Sequence, residues 1–291
     1  MKKRTLVVIS CFLLFFFTFM QAQINEEIPL WPQGAVESNM LTEREGTNEQ
    51  GHIFSVSDPS IRIFFPKDGI KNGSSIIICP GGGYGILASV HEGYQFAEWF
   101  AENGIVAVVL KYRMPNGHCE IPLSDVKQAM RIVRHRSGEW GINPQKIGVA
   151  GFSAGGHLAS SLLCHFDEET RPDFGLLFYP VITMEEAFTH RGSRKALLGA
   201  NPTKAMVERF SNEKQIKNNT PPTLIILSDD DKVVVPQNSL MFYENLKKKE
   251  IPSSMYIFPE GGHGWGFSDN FRYHKQMKAL VLDWMQQQNI F

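Results

Sequence analysis

Short, continuous runs of apolar residues recur along the chain, separated by longer stretches with helical periodicity. The runs cover residues 76–79, 105–110, 147–150, 176–178 and 224–227. Runs of this length are typical of strands buried on both faces of a parallel sheet. Helical spacing marks residues 93–103 and 124–140 and a last stretch around 277–284. This alternation predicts an α/β fold with a mostly parallel central sheet and helices on both faces.

The segment that precedes this alternation has a different pattern. Residues 52–56 and 61–65 flank the turn-forming pair Asp58-Pro59, which predicts two antiparallel strands ahead of the parallel set. We find no internal repeat and no low-complexity linker, so residues 23–291 are expected to form one domain. The connection over residues 181–222 is long for a simple crossover, and we interpret it as a lid or pocket insertion.

The first 22 residues read as a secretory signal peptide. Three basic residues precede an apolar run from Leu6 to Met20, and Ala22 supplies the small residue expected before a cleavage site. An uncleaved anchor is the alternative, but the run is shorter than the roughly 20 residues that span a bilayer. We expect an exported protein, periplasmic or extracellular, without stable membrane insertion after cleavage.

Composition and charge exclude several classes of protein. Of the 291 residues 43% are hydrophobic, which is too many for a disordered chain, and 29 basic residues balance 30 acidic ones, which gives no basic surface for nucleic acid. Removal of residues 1–22 takes away three basic and no acidic residues and leaves a net charge of −4. The remaining cysteines, Cys79, Cys119 and Cys164, form no CxxC pair, so we predict no metal site and at most one disulfide.

The strongest chemical signal is the sequence Gly-Phe-Ser-Ala-Gly-Gly at residues 151–156. It follows a predicted strand and opens a predicted helix, which is the setting of a nucleophile elbow. A glycine turn with a helix-capping serine is the alternative. We interpret Ser153 as a nucleophile.

A serine hydroxyl needs a base, and the base needs an acid to orient it. In this type of fold the acid and then the histidine follow the serine, each at the carboxyl end of a later strand. Asp231 and His263 lie in such places, after the strands predicted at 224–227 and 255–258. Asp230 is the alternative acid, since residues 229–231 are all aspartates.

The sequence Pro-Gly-Gly-Gly-Tyr-Gly at residues 80–85, here called the glycine loop, directly follows another predicted strand. Two backbone N–H groups of these consecutive glycines, with that of Ala154, are expected to form an oxyanion hole. A phosphate-binding loop is the competing interpretation, but no Gly-Lys-Ser/Thr follows.

The segments CPGGGY, GFSAGGHLAS, SDDDKVVVPQNS and GGHGWGF together resemble the α/β-hydrolase superfamily. More narrowly they resemble secreted bacterial carbohydrate esterases of the acetyl xylan esterase and feruloyl esterase type. Two departures are Pro80, where the common form has a histidine, and one extra residue before the proline of the aspartate turn.

This resemblance implies a Ser153–His263–Asp231 triad acting on acyl esters of a polysaccharide such as xylan, with no metal or organic cofactor. It also assigns the oxyanion donors to the N–H groups of Gly82, Gly83 and Ala154. It implies an acylated oligosaccharide or a small ester as substrate, with Tyr84 and Trp265 as the expected substrate contacts. Packing of Trp265 against the final helix is the alternative for that residue. Another serine hydrolase of the same fold, a lipase or peptidase, and an inactive sugar-binding homologue are the alternatives for function.

Overall fold

An eight-stranded sheet forms the centre of the part of the chain that the computed structural model describes, residues 27–35, 37–67 and 69–291. The strands are β1 (Glu27–Pro29), β2 (Gly46–Thr47), β3 (Ile53–Phe54), β4 (Ser60–Phe64), β5 (Ser75–Cys79), β6 (Ile86–Leu87), β7 (Val106–Lys111), β8 (Ile147–Phe152), β9 (Gly175–Phe178), β10 (Thr223–Ser228) and β11 (Ser253–Phe258). The order in the main sheet is β1-β4-β7-β5-β8-β9-β10-β11, while β2, β3 and β6 form a small second sheet. The predicted signal peptide, residues 1–22, lies outside the described residues.

All five continuous apolar runs form strands of the main sheet, and they pair in parallel. Every residue of β5, β8, β9 and β10 is buried, because helices cover both faces of the sheet. The mostly parallel sheet predicted from the hydrophobic pattern is therefore confirmed.

The helices are α1 (Gln95–Glu102), α2 (Glu120–His135), α3 (Ser137–Trp140), α4 (Ala154–His165), α5 (Arg191–Leu198), α6 (Lys204–Phe210), α7 (Gln237–Lys248) and α8 (His274–Gln287). Phe96 of α1 packs on Phe178 of β9, with ring centroids 5.2 Å apart. The side of Gly175 that a Cβ would occupy faces Leu163 of α4. Positions three apart in a strand face opposite sides, so α1 and α4 cover opposite faces of the sheet.

The helix predicted at residues 124–140 differs in its limits. It begins earlier, at Glu120, because Pro122 lies in the first turn, where a missing N–H breaks no helical hydrogen bond. It also ends at His135 and is followed by the separate short helix α3, which stops at Gly141 in the left-handed conformation with φ of 69°.

The N-terminal strands are only partly as predicted. β4 is antiparallel to both β1 and β7 in the main sheet. The segment around β3 does not pair with β4 but belongs to the small sheet with β2 and β6. Ser55, with φ of 53°, turns the chain between β3 and β4, so the expected pairing of 52–56 with 61–65 is wrong.

The strand order places one edge of the sheet in a special position. The chain runs from β5 outward to β7 and then returns across β5 to β8, so its direction across the sheet reverses between β5 and β8. In open α/β sheets, ligands bind beyond the carboxyl ends of the strands at such a reversal.

Among the described helices, none has the length and apolar character that crossing a bilayer demands. In the same residues, Cys79, Cys119 and Cys164 are free thiols.

Candidate active site

Ser153 follows β8 directly and opens α4 in a strained backbone conformation, with φ of 52° and ψ of −118°. Its N–H donates to the Phe178 carbonyl over 3.1 Å and its own carbonyl accepts from Val181 N–H over 3.0 Å, which holds the strained residue in place. The turn also needs Gly155, since a Cβ there would lie 2.1 Å from the Cys79 carbonyl oxygen. Close backbone packing thus presents the serine hydroxyl at the carboxyl edge of the sheet.

His263 lies between Ser153 and Asp231. Ser153 Oγ is 2.8 Å from His263 Nε2, and His263 Nδ1 is 2.6 Å from Asp231 Oδ2. These distances fit a hydroxyl that donates to Nε2 and an Nδ1–H that donates to the carboxylate. The structure therefore brings together the three predicted residues from the ends of β8, β10 and β11, while their catalytic roles stay a prediction.

The geometry separates the two candidate acids. Asp231 is buried, and its second oxygen, Oδ1, accepts from the N–H groups of Val233 and Val234, each over 2.9 Å. Asp230 is exposed and points to the neighbouring loop, where its Oδ1 accepts from Gly262 N–H over 2.7 Å. That hydrogen bond lowers the pKa of the Asp230 carboxyl. Asp231 is the aspartate that faces the imidazole.

The glycine loop lies beside Ser153, at the end of β5. Tyr112 donates its hydroxyl to the Pro80 carbonyl over 2.7 Å, and the Gly82 carbonyl accepts from Gly85 and Ile86 N–H. Gly82 has φ of 126°, and a Cβ on it would lie 2.2 Å from the Ile86 carbonyl oxygen. The loop is thus held in a conformation that a side chain at Gly82 would disrupt.

Three N–H groups near the serine have no acceptor within the described chain. Those of Gly82 and Gly83 take part in none of the hydrogen bonds there, and that of Ala154 is the first of α4. The N–H groups of a first helical turn have no partner inside the helix and carry its positive dipole end. These are the three donors predicted for an oxyanion hole; their role in stabilising an oxyanion stays a prediction.

Tyr84 does not line the site, so its predicted contact with substrate is wrong. Its φ of 62° turns the side chain into the core, where only 2% of it is exposed. Its hydroxyl lies 2.9 Å from His157 Nδ1, and His157 Nε2–H donates to the Phe210 carbonyl over 2.8 Å. The Tyr84 side chain therefore fixes the glycine loop to His157 in the core.

Trp265 is largely buried, with 6% of its surface exposed. One face of its indole is stacked on Phe271 with centroids 4.2 Å apart, and the ring of Tyr179 lies nearly perpendicular to it with centroids 4.6 Å apart. Its Nε1–H donates to Ser228 Oγ over 3.1 Å. Phe271 therefore covers one face of the indole, while the rest of Trp265 borders a surface groove together with Gly262 and Gly264. The predicted contact of Trp265 with a sugar ring stays a prediction.

His190 is a site residue that the sequence analysis missed. It comes from the long connection between β9 and β10 and caps α5, with Nδ1 accepting from Ser193 N–H and lying 2.8 Å from Ser193 Oγ. Its ring borders Gly83, since a Cβ there would be 3.7 Å from His190 Cε1. Burial, then the nearby His263, lowers the pKa of His190, so the ring is neutral and carries its proton on Nε2. A histidine in a capping position within a predicted pocket segment was the available signal.

The arrangement can transfer a proton from a serine hydroxyl to an imidazole and can stabilise negative charge on an oxygen beside it. No group of three or more His, Cys, Asp or Glu side chains suited to a metal ion occurs in residues 27–35, 37–67 and 69–291.

Comparison with known proteins places this site in a family context. Residues 115–289 match the sequence profile of the prolyl oligopeptidase family. The chain is 39% identical over 226 residues to an acetylxylan esterase of Xylanibacter ruminicola, a match that covers 76% of this chain and 47% of that protein. It is 38% identical over 241 residues to the endo-1,4-beta-xylanase B of Butyrivibrio fibrisolvens, covering 78% and 37%. The chain spans less than half the length of these two relatives.

A solved structure matches over nearly its full length. An acetyl ester-xyloside bifunctional hydrolase from Caldicellulosiruptor lactoaceticus superposes with a TM-score of 0.79 and 37% identity, covering 92% of this chain and 97% of that one. The resemblance to α/β-hydrolases and carbohydrate esterases that the sequence motifs indicated is confirmed.

Proposed function

The chain belongs to the prolyl oligopeptidase family, and from that premise we propose that it is an exported serine esterase that removes acetyl groups from xylan. The observation that carries the proposal is the continuous hydrogen-bonded chain from Ser153 through His263 to Asp231 beside three unpaired N–H donors.

In the proposed mechanism, Ser153 Oγ attacks the ester carbonyl while His263 Nε2 takes the hydroxyl proton. Asp231 accepts from Nδ1–H, keeps the imidazole in the tautomer with a free Nε2 and stabilises the imidazolium that forms. His263 then gives the proton to the departing sugar oxygen, which leaves an acetyl group on Ser153. Water, deprotonated by His263, attacks this acyl-enzyme, and its collapse releases acetate and returns the proton to Ser153.

The N–H groups of Gly82, Gly83 and Ala154 stabilise the oxyanion in both tetrahedral intermediates. A donor of this kind is worth about 3–4 kcal/mol in the transition state when it is positioned beforehand. Two hydrogen bonds support this positioning of the glycine loop: one from the Tyr112 hydroxyl to the Pro80 carbonyl, and one between the Tyr84 hydroxyl and His157.

Support for a xylan ester as substrate comes from two relatives, one of which is named an acetylxylan esterase and the other an acetyl ester-xyloside bifunctional hydrolase. A groove of about 1110 Å³ borders the loop that carries His263, with Asp230, Gly262 and Gly264 in its lining, and we assign the remainder of an extended substrate to it. Its lining combines polar side chains such as Gln50, Gln95 and Asn270 with the ring of Phe267, a mixture suited to sugar hydroxyls and ring faces. Export is supported by the basic and apolar pattern of residues 1–22.

The test is release of acetate from acetylated xylan and of 4-nitrophenol from 4-nitrophenyl acetate by the wild-type protein and by Ser153→Ala. We expect Ser153→Ala to lose at least about 10,000-fold in turnover, because no nucleophile remains. Retained turnover in this variant would remove Ser153 from the mechanism.

A substrate series separates the proposal from its alternatives. Acetyl, butyryl, octanoyl and feruloyl esters and a prolyl peptide amide are compared by kcat/KM. The proposal expects the acetyl ester to be preferred, a lipase would favour octanoyl, and a peptidase would cleave the amide. Labelling of wild-type protein, but not of Ser153→Ala, by a fluorophosphonate would exclude an inactive sugar-binding protein.

A further inference from the structure

A buried carboxylate lies behind the glycine loop. Glu92 is 3% exposed; its Oε2 accepts from Gly81 N–H over 2.8 Å and its Oε1 accepts from the Tyr179 hydroxyl over 2.7 Å. Burial of a carboxylate is costly unless donors satisfy its oxygens, and here both are satisfied. Burial, together with this carboxylate, raises the pKa of Tyr179 well above its usual range, so the phenol stays protonated and donates.

The same tyrosine reaches the loop of residues 259–267 that carries His263, here called the histidine loop. The Tyr179 oxygen accepts from Gly266 N–H over 2.9 Å, and its ring packs edge-on against His263 with centroids 4.9 Å apart. A continuous path of hydrogen bonds therefore runs from Gly81 through Glu92 and Tyr179 to Gly266.

Glu92 lies in an unusual stretch of backbone that contacts both loops. Residues Val90–Tyr94 form a π-helical turn in which Tyr94 N–H donates to the Ser89 carbonyl over 2.7 Å. The carbonyl of His91, the residue before Glu92, accepts from Phe267 N–H over 2.8 Å. π-Helical turns occur frequently at functional sites. This one touches the glycine loop with a side chain and the histidine loop with its backbone.

We propose that Glu92 is a positioning residue that fixes the glycine loop and the histidine loop relative to each other, and thereby sets the oxyanion donors against Ser153 and His263. This rests on the proposed serine esterase mechanism. The geometry is close, since a Cβ on Gly81 would lie 2.5 Å from Glu92 Oε2 and 3.0 Å from Ser153 Cβ. Gly81 is thus held between the carboxylate and the serine.

Glu92→Gln tests the requirement for two acceptors. A glutamine has one acceptor oxygen and one donor nitrogen, so either Gly81 N–H or the Tyr179 hydroxyl loses its acceptor. A displacement of about 1 Å in a catalytic group lowers turnover about 100-fold. We expect kcat for 4-nitrophenyl acetate to fall about 10- to 100-fold while KM changes less than about threefold, because the substrate still binds but the donors are misplaced.

Glu213→Gln is the matched control. Glu213 is 7% exposed, one of its oxygens accepts from the Thr183 hydroxyl, and within the described residues it makes no hydrogen bond to either loop. Both variants remove one buried carboxylate, so a general effect of that loss on folding appears in both melting temperatures. Only Glu92→Gln is expected to lower kcat.

Tyr179→Phe removes the other half of the connection and supplies a second variant if Glu92→Gln folds poorly. We expect the same fall in kcat, and the double variant Glu92→Gln/Tyr179→Phe should lose much less than the product of the two single losses. Inhibition by a boronic acid, whose tetrahedral adduct on Ser153 places an oxygen among the oxyanion donors, should weaken in parallel with kcat/KM.

The possible results are distinguishable. A wild-type protein that hydrolyses neither acetylated xylan nor 4-nitrophenyl acetate overturns the proposed function and this inference with it. Active wild-type protein with Glu92→Gln inside threefold of Glu213→Gln overturns the role of Glu92 alone. So does a loss confined to KM, or independent effects of Glu92 and Tyr179 that multiply.

Discussion

Replacement of Asp231 by asparagine is the sharpest perturbation of this site, because the structure dictates which way the new amide must point. Asp231 Oδ1 accepts from Val233 and Val234 N–H, and Oδ2 accepts from His263 Nδ1–H. In the variant, the single amide oxygen has to stay with the two backbone N–H groups. The amide nitrogen then faces His263 Nδ1 and donates to it.

This orientation traps the wrong tautomer. With Nδ1 accepting, the imidazole proton moves to Nε2, which faces Ser153 Oγ and can no longer take its proton. The flipped amide would restore the tautomer but leave two backbone donors without an acceptor, at about 1–3 kcal/mol each. The productive arrangement is therefore disfavoured by roughly 2–6 kcal/mol, which corresponds to about 30-fold to more than 10,000-fold.

Loss of the carboxylate also removes the charge that stabilises the imidazolium, so we expect the upper part of that range. An exchange of this kind in a Ser-His-Asp triad lowers turnover about 10,000-fold. The assay is kcat for 4-nitrophenyl acetate, with the melting temperature as a check on folding. Asp230→Asn is the matched control, since it neutralises the adjacent aspartate, which is exposed and bonded to Gly262. Folded Asp231→Asn protein that keeps a tenth of wild-type turnover, or equal losses in both variants, would refute the reasoning.

Three further predictions concern the loop, the core and the response to pH. Gly82→Ala should lower kcat about 100- to 1000-fold, because its Cβ would lie 2.2 Å from the Ile86 carbonyl oxygen and displace an oxyanion donor; steady-state kinetics within tenfold of wild type would contradict this. Asp125 is fully buried and forms a salt bridge with Arg113 over 2.7 Å. Arg113→Met leaves this carboxylate without its cation and should lower the free energy of unfolding, measured in urea, by about 3–5 kcal/mol. A decrease below about 1 kcal/mol would count against this reasoning. Burial lowers the pKa of His157 to about 4, so the unfolded state takes up this proton first as the pH falls from the ordinary value of 6.5. The free energy of unfolding therefore falls as the pH drops from about 6.5 to about 4. His157→Gln should make this fall between pH 7 and pH 4 smaller by about 3 kcal/mol. Equal falls in the free energy of unfolding for the two proteins would show that His157 does not titrate as described.

The sheet and the order of the site residues could be predicted because both depend on patterns that are local in sequence. Buried parallel strands appear as continuous apolar runs, and the loops after β8, β10 and β11 carry the serine, the aspartates and the histidine. The choice between Asp230 and Asp231 needed the structure, since it depends on which carboxylate the Val233 and Val234 N–H groups hold toward His263.

The error at Tyr84 concerns a direction that depends on backbone torsion. Tyr84 lies in a glycine-rich loop at the site, where an aromatic side chain suggests a substrate contact. Its positive φ sends the ring inward instead. The contact of Glu92 could not be predicted for a related reason. An acidic residue at the start of a helical stretch is typical of a solvated position, and the π-helical turn is what directs this side chain toward Gly81.

The position of β11 at the edge of the sheet has a consequence for folding. The histidine loop follows this last strand, which pairs with β10 alone, and His263 is 110 residues away from Ser153 in sequence. Contacts of such large separation form slowly, because the chain loses much entropy before they are made. Ser153 and the glycine loop can assemble once β5 and β8 pair, whereas His263 arrives only when the final strand docks. If these residues act as proposed, recovery of ester hydrolysis during refolding would time the docking of that strand, and a chain stopped before it would keep Ser153 without His263.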